Sequence, residues 1–451
     1  MMKLIRPLKE KTKRTIRGSL WALLYILLTV GPLLTTMFIG PTLPGREFWR
    51  EFSVALGFSG LALMTLQFVI TARFQPVKEP FGSDIIYLFH RQISIASFLF
   101  IIAHPLILFF TDPATLQLLN LINAPWRARL AVTSVIAVTL LGVTALWRRE
   151  LKIEYDTWRL SHGFLATLAV GTAFGHILLV NHYTSIPLKR VLWIVYGVFW
   201  VSLLAYTRVY KPWMELRRSY RIKEVIKERG GAWSVVLKPD GYSNLKFQPG
   251  QFAWISVHMN PFQHVEHPFS ITSSAENHET LSFTIKELGD FTSTIKNLKE
   301  GEKVYVDGPH GALTIDRYPD LKGFVFIAGG VGVTPMISML RTMADRDDQR
   351  PVLFFYANRD WESVIFREEI SSLEKKLNLT MVHVLENPPE NWKEEIGYIT
   401  PEILDKYLPV DRGTLQYFIC GPEPMMDAVE NALQQLHLPP AMIRTERFSL
   451  G

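Results

Sequence analysis

Six apolar runs dominate the first 210 residues of this 451-residue chain. Each run is close to the roughly 20 residues that an α-helix needs to cross a hydrocarbon core about 30 Å thick. We predict membrane-spanning helices over residues 19–39, 52–72, 86–110, 129–147, 158–181 and 189–210. The first run has no convincing small-residue cleavage site, so it is predicted to be a retained anchor rather than a signal peptide.

Basic residues are distributed unevenly around these runs. Clusters of Lys and Arg precede the first run, separate the fourth from the fifth and follow the sixth, whereas the alternate loops carry only pairs. The positive-inside rule therefore predicts a multi-pass protein with both termini in the cytoplasm. Because this orientation accounts for most of the net charge of +6, nucleic-acid binding has little support.

Two of the runs each carry a pair of histidines fourteen residues apart, His90 with His104 and His162 with His176. Fourteen helical residues rise about 21 Å and turn to within roughly 40° of four full turns, so each pair shares a face. A lone histidine in such a helix is usually a buried hydrogen-bonded residue, but repetition in register favours ligation of metal. We predict two stacked six-coordinate haems, an inner one on His90 and His162 and an outer one on His104 and His176.

Other residues near the histidines have two interpretations each. Arg50, Arg91 and Arg159 are suited to neutralise haem propionates, but their favoured role is to anchor helices at the membrane interface. Pro105 follows the outer ligand His104, where it either shapes the outer pocket or only kinks the helix.

The residues after about 213 have ordinary globular composition. Short strands at 221–228, 232–238, 251–257, 281–286 and 303–307, separated by turns, predict a small antiparallel β-barrel. Strands at 324–328, 352–356, 379–385 and 414–420 alternate with helical stretches, which predicts a parallel nucleotide-binding sheet. The predicted organisation is a six-helix membrane domain over 1–212, a barrel domain over 213–318 and an α/β domain over 319–451.

Two motifs in the predicted barrel suit a flavin nucleotide. The run His267-Pro268-Phe269-Ser270-Ile271-Thr272-Ser273-Ser274 presents many hydroxyl and amide groups on an extended segment, although an ordinary serine-rich strand has the same composition. The run Gly289-Asp290-Phe291-Thr292 opens a predicted short helix whose N–H groups are suited to a pyrophosphate.

Two further motifs lie in the predicted α/β domain. Gly329-Gly330-Val331-Gly332-Val333-Thr334-Pro335 joins an apolar strand to a helix, so its amides can approach a dinucleotide, although a structural glycine turn is the alternative. Cys420-Gly421-Pro422 ends the last long strand, where ligands bind in open α/β sheets. Cys420 is the only cysteine, which excludes an intramolecular disulfide.

The order of these motifs resembles a known family. The second half resembles the ferredoxin-NADP reductase family, and the first half resembles the ferric reductase transmembrane domain of NADPH oxidases and ferric-chelate reductases. The resemblance implies FAD, two b-type haems and NADPH, with NADH possible, as cofactors. It assigns FAD contacts to His267, Pro268, Phe269, Ser270, Thr272, Ser274, Gly289 and Thr292, and dinucleotide contacts to Gly330, Gly332, Thr334, Arg359, Cys420, Gly421 and Pro422. The implied catalytic residues are Ser270, Cys420 near the nicotinamide, and Phe448 covering the flavin.

The resemblance also implies the reaction. Hydride passes from NADPH to FAD, and single electrons then pass through both haems to an acceptor outside a bacterial plasma (inner) membrane. Oxygen, giving superoxide, is the expected acceptor, with a ferric chelate next and a partner protein or quinone as a third alternative. No obligate protein partner is expected.

Sequence details bear on the acceptor and on the dinucleotide. Leu108 stands where superoxide-producing relatives carry a further histidine, and the equal spacing of fourteen resembles metalloreductases, whereas the compact chain resembles constitutively active bacterial oxidases. Arg359, just after the second strand of the α/β domain, favours NADPH, and the adjacent Asp360 opposes it.

Overall fold

The computed structural model describes residues 2–39, 47–74, 77 and 83–447. The predicted flavin-covering residue Phe448 lies outside these residues. The chain divides into two compact units, and we describe each by itself. We call Thr12–Lys211 the helical unit, and Met1–Lys11 with Pro212–Gly451 the sheet unit.

Long apolar helices make up the helical unit. They are α1 (Met2–Phe38, of which residues 12–38 belong to this unit), α2 (Phe48–Thr71), α3 (Ser83–Thr111), α4 (Trp126–Leu146), α5 (Tyr155–Val180) and α6 (Pro187–Ala205). Within the described residues, six helices are long and apolar enough to cross a membrane, as predicted. Large apolar side chains are exposed along all six of them. This outward-facing apolar surface is what a lipid-embedded bundle requires, since lipid takes the place of water around it.

Small residues bring neighbouring helices together. A Cβ on Gly60 of α2 would lie 2.7 Å from the Ile101 side chain of α3, and the Ser97 hydroxyl donates to the Gly60 carbonyl at 2.9 Å. Between α4 and α5, the Ser134 hydroxyl donates to the Ala169 carbonyl at 2.8 Å. Close backbone approach and interhelical hydrogen bonds are the usual sources of helix association in a membrane.

The first part of the sheet unit is the predicted antiparallel barrel. Its strands are β1 (Tyr220–Lys227), β2 (Ala232–Pro239), β3 (Phe252–Val257), β4 (His267–Ser270), β5 (Leu281–Lys286) and β6 (Lys303–His310). They follow the order β4-β3-β6-β1-β2-β5, and a bridge between Ile271 and Phe283 joins the chain just after β4 to β5. A short helix, α7 (Lys211–Leu216), precedes β1, and another, α8 (Asp290–Thr294), follows β5.

The second part is the predicted parallel sheet. Its strands are β7 (Phe324–Gly329), β8 (Val352–Asn358), β9 (Leu379–Leu385), β10 (Glu395–Ile396), β11 (Gln416–Cys420) and β12 (Ile443–Thr445), in the order β10-β9-β8-β7-β11-β12. The sheet carries one apolar core that includes Phe326 and a second that includes Tyr417. Helices α9 (Val333–Asp345), α10 (Arg367–Glu374), α11 (Pro401–Tyr407) and α12 (Glu423–Gln435) cover it. The fold class is confirmed, although the edge strands β10 and β12 were not predicted.

The strand order fixes where a ligand can bind. Successive strands β7, β8 and β9 extend the sheet in one direction, and β11 then pairs with the opposite edge of β7. The carboxyl ends of β7 and β11 therefore form a topological switch point, which is where open α/β sheets bind ligands. Both predicted dinucleotide motifs lie there.

Candidate functional site

The inner histidines face each other across two helices. The ring centres of His90 on α3 and His162 on α5 are 6.5 Å apart. An iron held at about 2 Å by one nitrogen of each imidazole would separate the ring centres by about 6 Å. The two residues therefore fit an iron between them. A haem needs only two protein ligands, which is compatible with the absence, among the described residues, of any metal-binding group of three or more His, Cys, Asp or Glu side chains.

Hydrogen bonds orient three of the four histidines. Nδ1 of His90 lies 2.8 Å from Gln67 Oε1. Nδ1 of His104 lies 2.9 Å from the Ser53 carbonyl oxygen, and Nδ1 of His176 lies 2.8 Å from the Arg127 carbonyl oxygen. Because each acceptor requires a proton on Nδ1, Nε2 keeps its lone pair for a metal. This outer hydrogen bond is typical of metal-ligating histidines.

The fourth histidine differs from the other three. His162 Nδ1 is buried and has no hydrogen-bond partner among the described residues. The Trp158 ring lies 5.1 Å from the His162 ring, one turn earlier on α5. The orientation of the His162 ring is thus set by packing rather than by a hydrogen bond.

Sequence reasoning missed the orienting residues Gln67 and Ser53. Both are buried polar side chains on α2, inside a predicted apolar span, and the Ser53 hydroxyl also donates to the His104 carbonyl at 2.8 Å. Polar residues within spans are costly and usually functional, so their positions were a usable signal. Their partners could not be read from the sequence, because the register of α2 against α3 is set by packing.

The end of the helical unit that is predicted to face outward carries paired charges. Arg50 Nη1 lies 3.2 Å from Asp112 Oδ2, and the Tyr183 hydroxyl donates to Glu51 Oε2 at 2.6 Å. Arg50 was one of the residues considered suited to neutralise haem propionates. Its charge is offset by Asp112 instead.

The predicted flavin segment lies on strand β4 of the barrel. The His267 ring stacks on Phe291 at 3.8 Å, and Phe269 stacks farther off at 6.1 Å. Pro268 pairs in register with Trp254 of β3. Ser270 is buried at the end of the strand. His267 and Phe269 therefore share one face of the strand, and Pro268 and Ser270 lie on the other. Their assignment as FAD contacts stays a prediction.

Thr272 and Ser274 are committed to protein partners. The Thr272 hydroxyl lies 2.9 Å from the Ser282 hydroxyl, and its carbonyl accepts a hydrogen bond from Arg341 at 2.6 Å. The Ser274 hydroxyl oxygen accepts from the Glu276 N–H at 3.2 Å. Their assignment as FAD contacts stays a prediction, and their visible role is to connect the barrel to helix α9 and to order the following turn.

The turn before α8 is organised by Thr292. Its Oγ1 accepts from the Leu288 N–H at 2.8 Å and from the Gly289 N–H at 2.9 Å. Asp290 also places a carboxylate in the first turn. Two amides at this helix start are therefore already bonded to Thr292, and Asp290 would repel an anion there. Both facts argue against the predicted contact of Gly289 and Thr292 with the FAD pyrophosphate.

A cavity of about 1170 Å³ opens at the carboxyl edge of the parallel sheet. Its wall includes Gly329, Gly330, Arg359 and Pro422. Gly330 has φ +53°, and no heavy atom lies within 4 Å of where its Cβ would be. The backbone at Gly330 therefore has open space beside it, and its contact with a dinucleotide stays a prediction.

Other predicted dinucleotide residues lie behind this wall. A Cβ on Gly332 would lie 2.2 Å from the Cys420 carbonyl oxygen and 2.8 Å from Gly421 Cα. The Thr334 hydroxyl donates to the Val331 carbonyl at 2.9 Å. The absence of a side chain on Gly332 lets the loops after β7 and β11 approach closely, and Cys420 is buried there. Their direct contact with a dinucleotide stays a prediction.

The charged residues beside the cavity differ in whether other residues of the protein bind them. Arg359 is exposed, whereas Asp360 Oδ1 accepts from the Ser363 N–H at 2.8 Å and caps the following turn. Glu362 Oε2 is 2.8 Å from Arg229 Nη1. The hydrogen bond from Arg229 also lowers the pKa of Glu368 to about 2. Of the acids that line the cavity with Arg359, Asp360 and Glu362 thus have other partners.

Comparison with known proteins agrees with this arrangement. Residues 56–173 match the ferric reductase like transmembrane component, residues 234–314 match an FAD-binding domain, and residues 326–431 match an oxidoreductase NAD-binding domain. The chain joins a ferric-reductase-like membrane domain to FAD- and NAD-binding domains. This combination supports the ferric reductase/NADPH oxidase-like family.

Individual relatives match the second half. NADH-cytochrome b5 reductase 1 of Debaryomyces hansenii is 33% identical over 150 residues, which cover 32% of this chain and 52% of the relative. The glycine betaine monooxygenase reductase subunit of Pseudomonas aeruginosa is 28% identical over 230 residues, covering 50% of this chain and 62% of the relative. This chain thus spans only about half to three fifths of these relatives. The ferredoxin reductase in carbazole 1,9a-dioxygenase is 26% identical, with a TM-score of 0.45 over 51% of this chain and 69% of that chain.

Proposed function

We propose that this protein is a transmembrane oxidoreductase that passes electrons from cytoplasmic NADPH through FAD and two b-type haems to an acceptor outside. The proposed domains are the membrane domain 1–212, the FAD domain 213–318 and the NAD(P)H domain 319–451. Both termini lie in the cytoplasm of a cell whose plasma membrane holds the bundle. The single observation that carries the proposal is the histidine pair His90–His162 at 6.5 Å in a bundle fused to a flavin and dinucleotide reductase.

The cofactors supply the electron chemistry, because a flavin accepts a hydride and releases electrons singly, and a haem with two imidazole ligands passes single electrons without an open site. The protein positions them. Gln67, Ser53 and Arg127 hold His90, His104 and His176 with Nδ1 protonated. At the other end, Gly330 admits the dinucleotide to the cavity, and Ser270, Cys420 and Phe448 are the groups proposed to lie at the flavin and nicotinamide.

Oxygen is the proposed acceptor, with one NADPH and two oxygen molecules giving NADP⁺, one proton and two superoxide ions. The ion pair Arg50–Asp112 supports it, because the Arg50 charge is paired within the protein and a neutral oxygen molecule does not require it. A ferric chelate is the second candidate. It is favoured by the equal histidine spacing and by Leu108.

NADPH is the proposed dinucleotide. Arg359 lines the cavity, and the capping role of Asp360 explains why an acid next to it does not cancel its charge. An arginine at this position is suited to a 2′-phosphate.

The test uses the purified full-length protein loaded with haem and FAD. NADPH oxidation is followed with oxygen as sole acceptor, and cytochrome c reduction is scored with and without superoxide dismutase. Fast, dismutase-sensitive turnover is the expected result. Slow turnover that accelerates only with a ferric chelate identifies a metalloreductase, and a protein that binds no haem contradicts the transmembrane electron path.

A further inference from the structure

Helix α6 changes its hydrogen bonding at its inner end. In the turn Tyr206–Tyr210, the Lys211 N–H bonds to the Tyr206 carbonyl, five residues earlier. Such a π-helical turn inserts one residue, redirects the side chains around it and is frequent at functional sites. The Tyr206 ring lies 5.6 Å from the Tyr210 ring and 5.5 Å from the Phe74 ring, and these contacts brace the turn.

Arg208 reaches from this turn to helix α5. Its Nη2 atom lies 2.8 Å, and its Cζ atom 3.6 Å, from the point where a Cβ on Gly163 would be. Gly163 directly follows His162, so the missing side chain leaves room for the guanidinium group beside the inner histidine pair. An alanine at this position would have to displace the end of the Arg208 side chain.

We propose that Arg208 is a positioning residue of the inner haem, whose guanidinium group binds a haem carboxylate and raises the haem's reduction potential. The inference rests on the proposed function, because it requires a haem between His90 and His162. A b-type haem carries carboxylates, and the planar guanidinium group is the side chain best matched to them. A fixed positive charge favours the reduced haem, which carries one positive charge less, and so favours electron flow from the flavin.

The experiment is a spectroelectrochemical titration of the haem-loaded full-length protein. A His176→Leu background removes an outer ligand, so that the inner haem is titrated alone. We expect Arg208→Gln to lower the equilibrium constant for inner-haem reduction about tenfold, which is about 59 mV for one electron. Gly163→Ala, which keeps the charge but displaces it, should lower the potential in the same direction. Arg208→Lys, which keeps the positive charge, should leave the inner-haem reduction potential close to that of the wild-type protein.

The matched control is Arg190→Gln, which removes an exposed cation from the other end of α6 and should leave the inner potential unchanged. Loss of inner haem from Arg208→Gln with retention in Arg208→Lys also supports the carboxylate contact. An unchanged inner potential in Arg208→Gln and Gly163→Ala, with full haem content, overturns it. That result leaves the proposed function standing, whereas a wild-type protein without haem removes both.

Discussion

The two units of this protein position functional groups by opposite means. In the helical unit, side chains that bear the chemistry are held by hydrogen bonds between helices, as Gln67 holds His90 and the Ser53 carbonyl holds His104. In the sheet unit, close backbone contact fixes the loops that contribute Gly330 and Pro422 to the cavity wall, as where Gly332 meets Cys420. The difference follows from the surroundings. In lipid the hydrophobic effect does not drive helices together, so hydrogen bonds between helices matter more. In water the hydrophobic effect stabilises the apolar cores on both faces of the sheet.

The sharpest test of this contrast removes one inner ligand. His162→Leu should abolish inner haem binding and superoxide production, because the 6.5 Å pair then offers one imidazole. Reduction of a soluble acceptor such as ferricyanide by NADPH should continue, since the sheet unit keeps its flavin and dinucleotide groups. The two rates and the haem content are measured on the same preparation. Loss of both activities would show that the units do not act separately.

The glycine contact predicts the largest effect in the sheet unit. Gly332→Ala should cost about 3 kcal/mol, because the new Cβ would overlap the Cys420 carbonyl and backbone on both sides resists movement. Gly413→Ala is the control, since no heavy atom lies within 4 Å of its Cβ position. Hydrogen exchange of peptides from β7 and β11 measures the cost. Equal protection in the two variants would contradict the proposed backbone contact.

The sheet unit should also lose stability in mild acid. Burial, followed by the charge of Arg367, lowers the pKa of His383 to about 4, from an unfolded value of about 6.5. Between about pH 6.5 and 4, His383 is therefore protonated in the unfolded chain but neutral in the folded chain. The free energy of unfolding should fall by roughly 2 to 3 kcal/mol as the pH drops through this range. Hydrogen exchange of β9 peptides at several pH values measures this. His383→Phe should flatten that dependence, and an unchanged slope would assign it to other groups.

Changing the cavity charge should affect binding rather than folding. Arg359→Glu should raise KM for NADPH about 30-fold, or about 2 kcal/mol, while KM for NADH changes much less. Lys375→Glu makes the same charge change at an exposed site outside the cavity wall and controls for the overall field. Steady-state kinetics with both dinucleotides provide the comparison. A parallel rise in both KM values would contradict recognition of the 2′-phosphate.

The smallest expected effect is in the helical unit. Gln67→Leu removes the acceptor for His90 Nδ1 and should weaken inner haem retention about tenfold, the low end for lost orienting partners. Thr65→Ala is the control, because Thr65 is buried on the same helix but bonds only to the Leu61 carbonyl. Haem loss to apomyoglobin reports retention. Equal loss from both variants would mean that the Gln67 contact does not orient the ligand.

Much of the fold could be predicted from the sequence because its signals are local. Apolar runs near twenty residues, short alternating strands and glycine turns each depend on neighbours along the chain. The four histidines could be recognised for the same reason, since each pair of residues fourteen apart lies within a single helix. The contacts of Gln67 and Arg208 were not, because each depends on how one helix packs against another.

Two assignments show where motif reading stops. Thr272 lies in the predicted flavin run, but its hydroxyl is paired with Ser282, and a sequence does not show which way a residue after a short strand turns. From the sequence, the negative charge of Asp360 was expected to disfavour NADPH, whereas in the structure its side chain caps the turn at Trp361–Ser363. Serine three residues later was the available sign of that role, since an acid followed at this spacing by a hydrogen-bonding residue often begins a turn.

The meeting of Gly332 with Cys420 also limits how such a protein can change over generations. Two loops separated by almost ninety residues of chain share one space, so a bulkier residue in either loop needs a compensating change in the other. Single substitutions there are expected to be lost by selection. Variation in the preferred electron donor should instead accumulate after β8, at positions such as Arg359, where a side chain can be exchanged without disturbing its neighbours.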